Sequence, residues 1–507
     1  MLSCLKIAVF LFILGAFLYI NVSSVDPDLG WHVRTGERIV ETTAVPRLDE
    51  FSHTMPGQRW VDHEWLQDAG LWWLKSHGLW WLAVLVFALI AALPFGVWLL
   101  RSREPMEVLF ILLAAFLTSK LAGVRPQLVS FLFFFIAFEM LSSYFSTRTK
   151  RFARGAGLIV LFWLWANLHA GFAAGLLLWL VYLGAHRAER LWRGESLAGF
   201  WSDFALLTAA GGITLVNPYG WELHYEVWRT LTSFETGRYI LEWQPALSVF
   251  DPSALLWLFL GAFLFLFGRY WRRLDLASLA VTLVFFAAFL KSARLAPLFF
   301  VTALPVAAQG VQALGREVRL IREAQPLTRR ERGVLKGIGA GLFLIVFGFF
   351  GWAAFSRPAA VFPEKAVTFV REHMRLAGGR LLNEYGWGGY LIEQAPEIKV
   401  FIDGRMPHWQ GEQGQSAMQD YVAIFYGKDD EAAKEALGRR AVTTVFIRNE
   451  KRAAQKEIRD ARSAVEKFFI RIGRALAKNP KRDVKTFLTG RGWRVLYEDE
   501  LAAVLEK

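Results

Sequence analysis

The sequence predicts a polytopic α-helical membrane protein with about eleven spans, followed by an α/β domain outside the bilayer. Three observations predict it. The chain is 54% hydrophobic and only 20% charged, and its 22 Trp and 43 Phe exceed what one soluble globule can hide. Apolar runs of about 17–25 residues, the length that crosses a bilayer, recur through the first two thirds. Beyond Ser356–Pro358 those runs shorten, and helical patterns alternate with β-type ones. The same composition excludes a disordered or collagen-like chain. A single cysteine, Cys4, rules out an intramolecular disulfide, so the fold does not depend on an oxidising compartment.

In chain order, the first span (5–22) starts beside Lys6. No small-x-small cleavage site follows it, which reads as a retained signal anchor. Further runs occupy 79–100, 105–121, 127–145, 156–168, 172–186, 201–216, 253–268, 276–291, 296–313 and 335–355. The runs 156–168 and 172–186 are short enough to form a broken or re-entrant pair.

Loop charge sets the orientation. Alternate loops carry Arg101 and Arg103; Arg148, Lys150, Arg151 and Arg154; Arg187, Arg190 and Arg193; Arg269, Arg272 and Arg273; and the cluster from Arg316 to Lys336. The positive-inside rule puts these five in the cytoplasm. The long loops 23–78 and 217–252 instead hold fourteen acids against seven Lys/Arg. Parity then places the N-terminus inside, and both long loops and residues 356–507 outside. The formal +13 therefore records topology rather than nucleic-acid binding, and no nucleic acid is expected as a partner.

In the outer domain, 363–376 and 415–426 read as helices. Lys399–Ile402, Thr443–Ile447, Trp493–Tyr497 and Ala502–Leu505 read as strands. An apolar stripe from Ala454 to Ala475 repeats at 4-3-4-3 spacing, the seam of a packed helix. It lies within a basic insertion (450–485): residues 448–485 hold thirteen basic and five acidic side chains. That excess suits anionic headgroups or an acidic polysaccharide, and it marks a possible surface for an envelope assembly partner. A solvated basic face explains it equally well.

The unusual polar residues gather on the outer face. The first outer loop opens with Asp26-Pro27-Asp28, then Trp31-His32-Val33-Arg34, and ends near Asp62-His63-Glu64. Short outer turns add Arg125, Asn167, His169 and Arg294; the second long loop adds Asn217, Tyr219 and Glu242. Two carboxylates two positions apart after a span can share a divalent cation, Mg or Mn, or position a general base. Asp26, Asp28 and His32 are thus the candidate catalytic residues, with Asp26 and Asp28 the candidate metal ligands. His32, or His63 between Asp62 and Glu64, could add further ligands. Arg125 and Arg294 suit an anionic substrate. Each motif has a plainer reading as well: a helix cap for Asp-x-Asp, a solvated helix start for His63, snorkelling for the arginines.

An acidic motif after the first span, followed by stretches lying along the membrane (about 31–42 and 62–77), resembles the GT-C superfamily of membrane glycosyltransferases. The chain is similar there to the oligosaccharyltransferase catalytic subunit, whose first loop has an Asp-Pro, an aromatic, an Arg and a Thr, as Asp26-Pro27, Trp31, Arg34 and Thr35 stand here. The external Trp-Trp-Asp-Tyr-Gly signature of that subunit resembles Asn383-Glu384-Tyr385-Gly386-Trp387-Gly388-Gly389-Tyr390, followed by Asp403-Gly404-Arg405. Leu382 and Asn383 replace its tryptophans and Glu384 its Asp, while Arg125-Pro126-Gln127 stands where it has a second acidic pair. The whole chain also resembles a broad set of bacterial membrane proteins sharing Val-Asp-His-Glu-Trp, Asn-Pro-Tyr-Gly-Trp and Tyr-Gly-Trp-Gly-Gly-Tyr segments.

The resemblance implies a transmembrane GT-C-like domain (1–355) and an extracytoplasmic α/β domain (356–507) in a bacterial inner (plasma) membrane. It implies sugar transfer from a polyprenyl-phosphate-linked donor to a glycan or protein acceptor, with Tyr385, Trp387, Asp403 and Arg405 on the substrate side. Two rivals remain. One is a non-catalytic binder of lipid-linked glycan or a part of an export assembly. The other is a transporter, against which Lys120, Glu139 and Asp203 lie near span ends and no internal repeat appears.

Overall fold

A computed structural model describes residues 2–23, 26–146, 150–196, 199–250, 254–324, 362–411, 416–449 and 481–507, with a few single positions between them. The first ten predicted spans each form a helix, and two further helices occupy the first outer loop. In order these are α1 (Leu2–Ser23), α2 (Leu29–Thr42), α3 (Trp65–Ser76), α4 (Trp80–Arg101), α5 (Pro105–Ser119) and α6 (Gln127–Ser146). Next come α7 (Arg151–Leu168), α8 (Phe172–Trp192) and α9 (Phe200–Ile213). The second long loop folds as α10 (Trp221–Thr232), α11 (Phe234–Tyr239) and α12 (Ala246–Phe250), before α13 (Ala254–Tyr270), α14 (Leu276–Lys291) and α15 (Ala296–Ala324).

Among the described residues, α1, α4, α6, α13 and α15 are long and apolar enough to cross a membrane, while α5 and α14 are apolar but shorter. α7 and α8 run 18 and 21 residues, longer than the runs 156–168 and 172–186 that suggested a broken or re-entrant pair. Each helix absorbs charged residues beyond its apolar run, Arg151 and Arg154 in one and Arg187 to Arg190 in the other. The predicted span 335–355, the domain boundary near 356 and the helical stripe of 450–478 lie outside the described residues.

The basic loops meet at one end of the bundle. Lys6 Nζ donates to the Ser102 carbonyl at 2.6 Å, tying the start of α1 to the end of α4. Buried Asp203 gathers Arg151, Arg187 and the Tyr144 hydroxyl. Glu317 takes Arg269 and Arg273, and Glu104 takes Arg319. Asp203 is thus a clamp between loops on that face.

The two long loops and the described residues from 362 onward assemble at the other end. There the domain comprises α16 (Glu364–Ala377), β1 (Leu381–Asn383), α17 (Gly388–Gln394), α18 (Ala417–Phe425), α19 (Asp430–Arg439), β2 (Thr444–Arg448), α20 (Val484–Thr489), β3 (Arg494–Glu498) and β4 (Ala502–Glu506). The strands order β1-β2-β4-β3, with β1 parallel to β2 and the other pairs antiparallel. Three of the four predicted strands are present. Lys399–Ile402 is not in the sheet: Val400 instead bridges to Ser52 of the first loop, donating its N–H to the Phe51 carbonyl and accepting from His53 N–H, both at 3.0 Å. Its apolar residues fill the core, but its backbone serves the loop.

That loop is part of the domain's core. Trp31, Met55 and Trp60 pack with Leu381, Ile402, Trp409 and Phe446 in one buried cluster, separate from the large cluster of the helical bundle. α2 and α17 cross backbone to backbone, because Gly30 and Gly389 carry no Cβ: one at Gly30 would strike the Gly389 carbonyl, and one at Gly389 the Pro27 carbonyl. Gly36 lets α2 approach the Asp68 carbonyl of α3 in the same way.

Candidate active site

Four turns carry the central charges. Asp26 and Asp28 precede α2, where the Asp26 carbonyl accepts the Leu29 N–H at 3.1 Å. Arg125 sits in the turn between α5 and α6. Glu242 lies in a 3-10 turn, Leu241–Trp243, and Arg294 in another, Ala293–Leu295, between α14 and α15. The last two turns are stitched together: Ser292 Oγ donates to the Glu242 carbonyl at 3.1 Å and Ala293 N–H to the Gln244 carbonyl at 2.9 Å.

Arg125 is the hub. Its Nε pairs with Asp26 Oδ2 and its Nη1 with Glu242 Oε1, while Arg294 Nη1 lies 3.5 Å from Glu242 Oε2. The Arg294 guanidinium also stacks 5.2 Å from the Trp243 ring centre. Burial alone would raise the Glu242 carboxyl, but Arg125 and Arg294 outweigh it and hold it below its ordinary value. Asp28 has no such partner. Burial and the Asp26 charge push it up to about 7, against the pull of His32 and Arg125. Its carboxylate lies where a Cβ on Gly404 would fall. Tyr385 stands beside it, its phenol pushed well above the ordinary value by burial and by the Asp28 charge, and so kept as a neutral hydroxyl.

A cavity of about 280 Å³ opens beside this hub. One wall is hydrocarbon, with Leu128, Phe131, Phe134, Trp165, Leu177 and Leu298. The other end is polar, with His63, Arg125, His169, Glu226, Glu242 and Arg294. α10 closes one side with Val227, Thr230 and Leu231, and exposes Trp221, Tyr225 and Trp228 on its other face.

Next to the cavity, Glu64 is ringed by three imidazoles. His32 Nε2 lies 3.6 Å from Oε2, while His63 Nε2 and His169 Nε2 lie 3.5 and 3.3 Å from Oε1. Burial would raise Glu64, yet His63 and His32 pull it far below its ordinary range. Asp62 and Asp68 go the other way, pushed well up by burial and by neighbouring carboxylates. Asp62 Oδ1 accepts the Glu64 N–H at 3.2 Å, and Asp68 Oδ1 meets His32 Nδ1 at 2.7 Å.

The expected cation seat at Asp26 and Asp28 does not fit as built. Asp26 Oδ1 accepts the Asp28 N–H at 2.8 Å and Oδ2 takes Arg125, so a guanidinium holds the position a divalent ion would need. Among the described residues, His63, Glu64 and His169 form a cluster with metal-ligand spacing. His169 Nδ1, however, accepts the Gly171 N–H at 2.9 Å, so its Nε2 carries the ring proton and has no lone pair for a metal.

Of the other predicted site residues, several hold the frame. Arg34 pairs with Glu37 on α2. Asn167 Nδ2 donates to the Trp163 and Val216 carbonyls at 2.9 and 3.0 Å. Asn217 closes a turn by accepting the Tyr219 N–H at 2.8 Å, and the Tyr219 hydroxyl donates to the Pro46 carbonyl at 2.6 Å. Trp387 is buried in the outer domain with its ring 4.7 Å from that of Phe446. Arg405 is buried between Asp403 and Asp49, at 2.7 and 2.9 Å, inside a box of Trp31, Phe51, Trp60 and Trp409. It joins the C-terminal domain to the first loop and lies off the cavity. Sequence reasoning missed Glu226, which lines the cavity and meets His408 Nε2 at 2.5 Å, and Ser130, which contacts His169. The amphipathic run after Asn217-Pro218-Tyr219-Gly220 was the available signal for Glu226; Ser130 carried none.

Three solved structures are similar to this chain. The apo form of the Archaeoglobus fulgidus oligosaccharyltransferase matches with a TM-score of 0.54 at 12% identity, over 89% of this chain and 70% of that one. The same organism's enzyme in complex with Zn and sulfate matches at 0.53 and 11%, over 91% and 70%. The Archaeoglobus fulgidus oligosaccharyltransferase AglB with an inhibitory peptide and a dolichol-phosphate matches at 0.50 and 13%, over 89% and 70%. No family model and no curated protein matches the sequence. At these identities the likeness is one of architecture: the chain shares the fold of these archaeal oligosaccharyltransferases, and its long apolar helices support an integral membrane protein.

Proposed function

We propose that the chain transfers a sugar from a polyprenyl-phosphate-linked donor to an acceptor hydroxyl on the extracytoplasmic face of a bacterial inner membrane, with its N-terminus cytoplasmic. The observation that carries this is the two-ended cavity, hydrocarbon on one wall and Arg125 and Arg294 at the polar end. A polyprenyl tail suits the first and a phosphate the second, since guanidinium makes strong charge-assisted pairs with phosphate. The exposed aromatic face of α10 suits the membrane interface, which would bring the cavity level with the lipid. The similar archaeal enzyme was solved with an inhibitory peptide and a dolichol-phosphate, a lipid phosphate of the polyprenyl type.

In the reaction the bond from the sugar's anomeric carbon to the phosphate oxygen breaks, and its electron pair leaves with the phosphate. Arg125 and Arg294 stabilise that charge. The acceptor oxygen bonds to the anomeric carbon and its proton passes to Asp28. Asp28 suits this role because it is half-buried, lacks an arginine of its own and titrates near 7. It faces Gly404 and Tyr385, so the acceptor would approach under the outer domain while the lipid lies in the bilayer. Asp26 positions Arg125.

The test is transfer of a labelled sugar in proteoliposomes. Asp28→Asn should lose roughly 10²-fold or more of turnover; full activity in both Asp26→Ala and Asp28→Ala would refute the assignment. One observation favours the second reading, a non-catalytic glycan-lipid binder: both Asp26 oxygens are already engaged. That protein would bind polyprenyl phosphate and show no transfer with any acceptor.

A further inference from the structure

His169 is one of the residues at the polar end of the cavity; it is 6% exposed, and its buried Nε2, facing Glu64 just behind the lining, makes no hydrogen bond. The proton on that nitrogen is fixed from behind. Gly171 N–H donates to Nδ1 at 2.9 Å, and Ser130 Oγ lies 2.7 Å from the same nitrogen. Trp165 Nε1–H donates to Ser130 Oγ at 2.7 Å, which leaves the serine proton free to point at Nδ1. With Nδ1 an acceptor on both counts, neutral His169 must carry its hydrogen on Nε2. Burial lowers the imidazole to about 3, so it stays neutral, and the Nε2–H stays a donor, across the physiological range.

Its nearest acceptor, Glu64 Oε1, stands 3.3 Å away without a formed hydrogen bond, so this buried donor is poorly satisfied and a ligand atom can take it. The surroundings define the atom. Glu64 Oε1 lies 3.3 Å from Nε2, and His63 Nε2 lies 3.5 Å from the same oxygen. An oxygen placed about 2.8 Å, an ordinary O–H···O distance, from both Nε2 and Oε1 would accept from the imidazole and donate to the carboxylate. Only a group that is both acceptor and donor satisfies this pair. A phosphate oxygen would meet the Glu64 charge, and a metal would meet a proton.

We infer that His169 and Glu64 form a hydroxyl-recognising subsite, which seats one uncharged hydroxyl of the donor sugar beside the phosphate held by Arg125 and Arg294. The inference rests on the donor reading above and adds to it a sugar that carries a free hydroxyl at the position reaching this pair. His63, on the third side, packs 5.8 Å from the His169 ring in an edge-on contact and narrows the seat.

The experiment is nitrogen NMR on full-length protein labelled at histidine, in lipid nanodiscs, with His169→Gln to assign the signal. Without ligand, His169 should show the Nε2–H tautomer, unchanged between pH 5 and 8; an Nδ1–H tautomer overturns the proposal. Two probes are then added, undecaprenyl phosphate and undecaprenyl phosphate-linked glucose. The glucose-bearing lipid should shift the Nε2–H signal and the phosphate alone should not. Binding of both lipids with that signal unmoved overturns the subsite alone, whereas binding of neither overturns the donor reading as well. Loss of the proton signal on adding Zn²⁺ would make the cluster a metal site and end the proposal. His169→Gln, which keeps an N–H donor, should retain sugar-lipid binding within about tenfold, and His169→Phe should lose about 10²-fold while undecaprenyl phosphate still binds.

Discussion

Gly389→Ala is a small change with a calculable effect on the proposed site. The added methyl would fall on the Pro27 carbonyl and within 3.2 Å of Asp28 Cα and of the Trp31 ring. The nearest obstacle is the backbone just before α2, which cannot rotate away as a side chain can. Relief requires roughly 1 Å of separation between α2 and α17 to restore ordinary contact. That separation moves Asp28 away from Tyr385 and Gly404, the groups proposed to border the acceptor. Overpacking of this kind costs about 1–3 kcal/mol of stability, and a 1 Å misplacement of a reacting group costs about 10²-fold in rate.

Gly386 provides the control within the same Tyr-Gly-Trp-Gly-Gly-Tyr segment, since nothing lies within 4 Å of a Cβ there. Gly386→Ala should therefore stay within about 0.5 kcal/mol of wild type and keep its turnover. Both variants would be compared by thermal unfolding in detergent and by labelled-sugar transfer in proteoliposomes. Wild-type turnover in Gly389→Ala, or equal losses in the two variants, would refute the argument that close backbone approach sets the catalytic geometry.

Three further outcomes follow from the same contacts. Asp28 titrates near 7 in the folded protein, and a base must be ionised to accept a proton. Transfer measured as kcat/KM should therefore rise about tenfold per pH unit up to pH 7 and level off above it; an unchanged profile in residual Asp28→Asn activity would exclude Asp28 as the titrating group. Arg294→Ala should lower turnover by about 10²–10³-fold with the fold intact, since it leaves Glu242 paired with Arg125; a change confined to stability would assign Arg294 to structure. Arg405→Met should cost about 3–5 kcal/mol in thermal unfolding, because Asp49 and Asp403 are left buried and uncompensated, and Arg405→Lys should restore little of it. A loss under about 1 kcal/mol in Arg405→Met would contradict the clamp.

The bundle was legible in the sequence because bilayer thickness sets a length, which the runs that became α1, α4, α6, α13 and α15 meet. Loop charge was legible for a related reason: segments such as Lys6, Ser102 and Arg319 must share a face, and they do. Convergence was not legible. Arg125 and Glu242 are 117 residues apart, and nothing in either neighbourhood names the other. Asp403 and Arg405 were expected on the substrate side, yet the aromatic box around Arg405 draws Trp31, Phe51 and Trp60 from the first loop. The run Lys399–Ile402 had strand chemistry, and its pairing partner was a single residue of another segment. β1, with three residues, is too short to leave a periodic signal.

Net charge on the outer loops would argue against an anionic donor, since fourteen acids face seven Lys/Arg there. The contacts show why that sum does not describe the cavity. Asp62 and Asp68 are pushed toward their neutral forms by burial. Asp49 is cancelled by Arg405, Glu222 is paired with Arg59, and Glu226 with His408. Asp26 and Glu242 share Arg125, and Arg294 brings a second guanidinium to that Glu242. The acidic excess is thus absorbed one pair at a time away from the hydrocarbon wall. At the polar end of that wall stand two arginines, Arg125 held by close contacts with Asp26 and Glu242, and Arg294 more loosely, 3.5 Å from Glu242. A phosphate arriving there meets preorganised donors in a partly desolvated setting, where each is worth more than on an open surface. Arg125 therefore sets the two first-loop aspartates apart: Asp26 anchors its guanidinium, and Asp28, without an arginine partner, is the carboxylate proposed to take the proton.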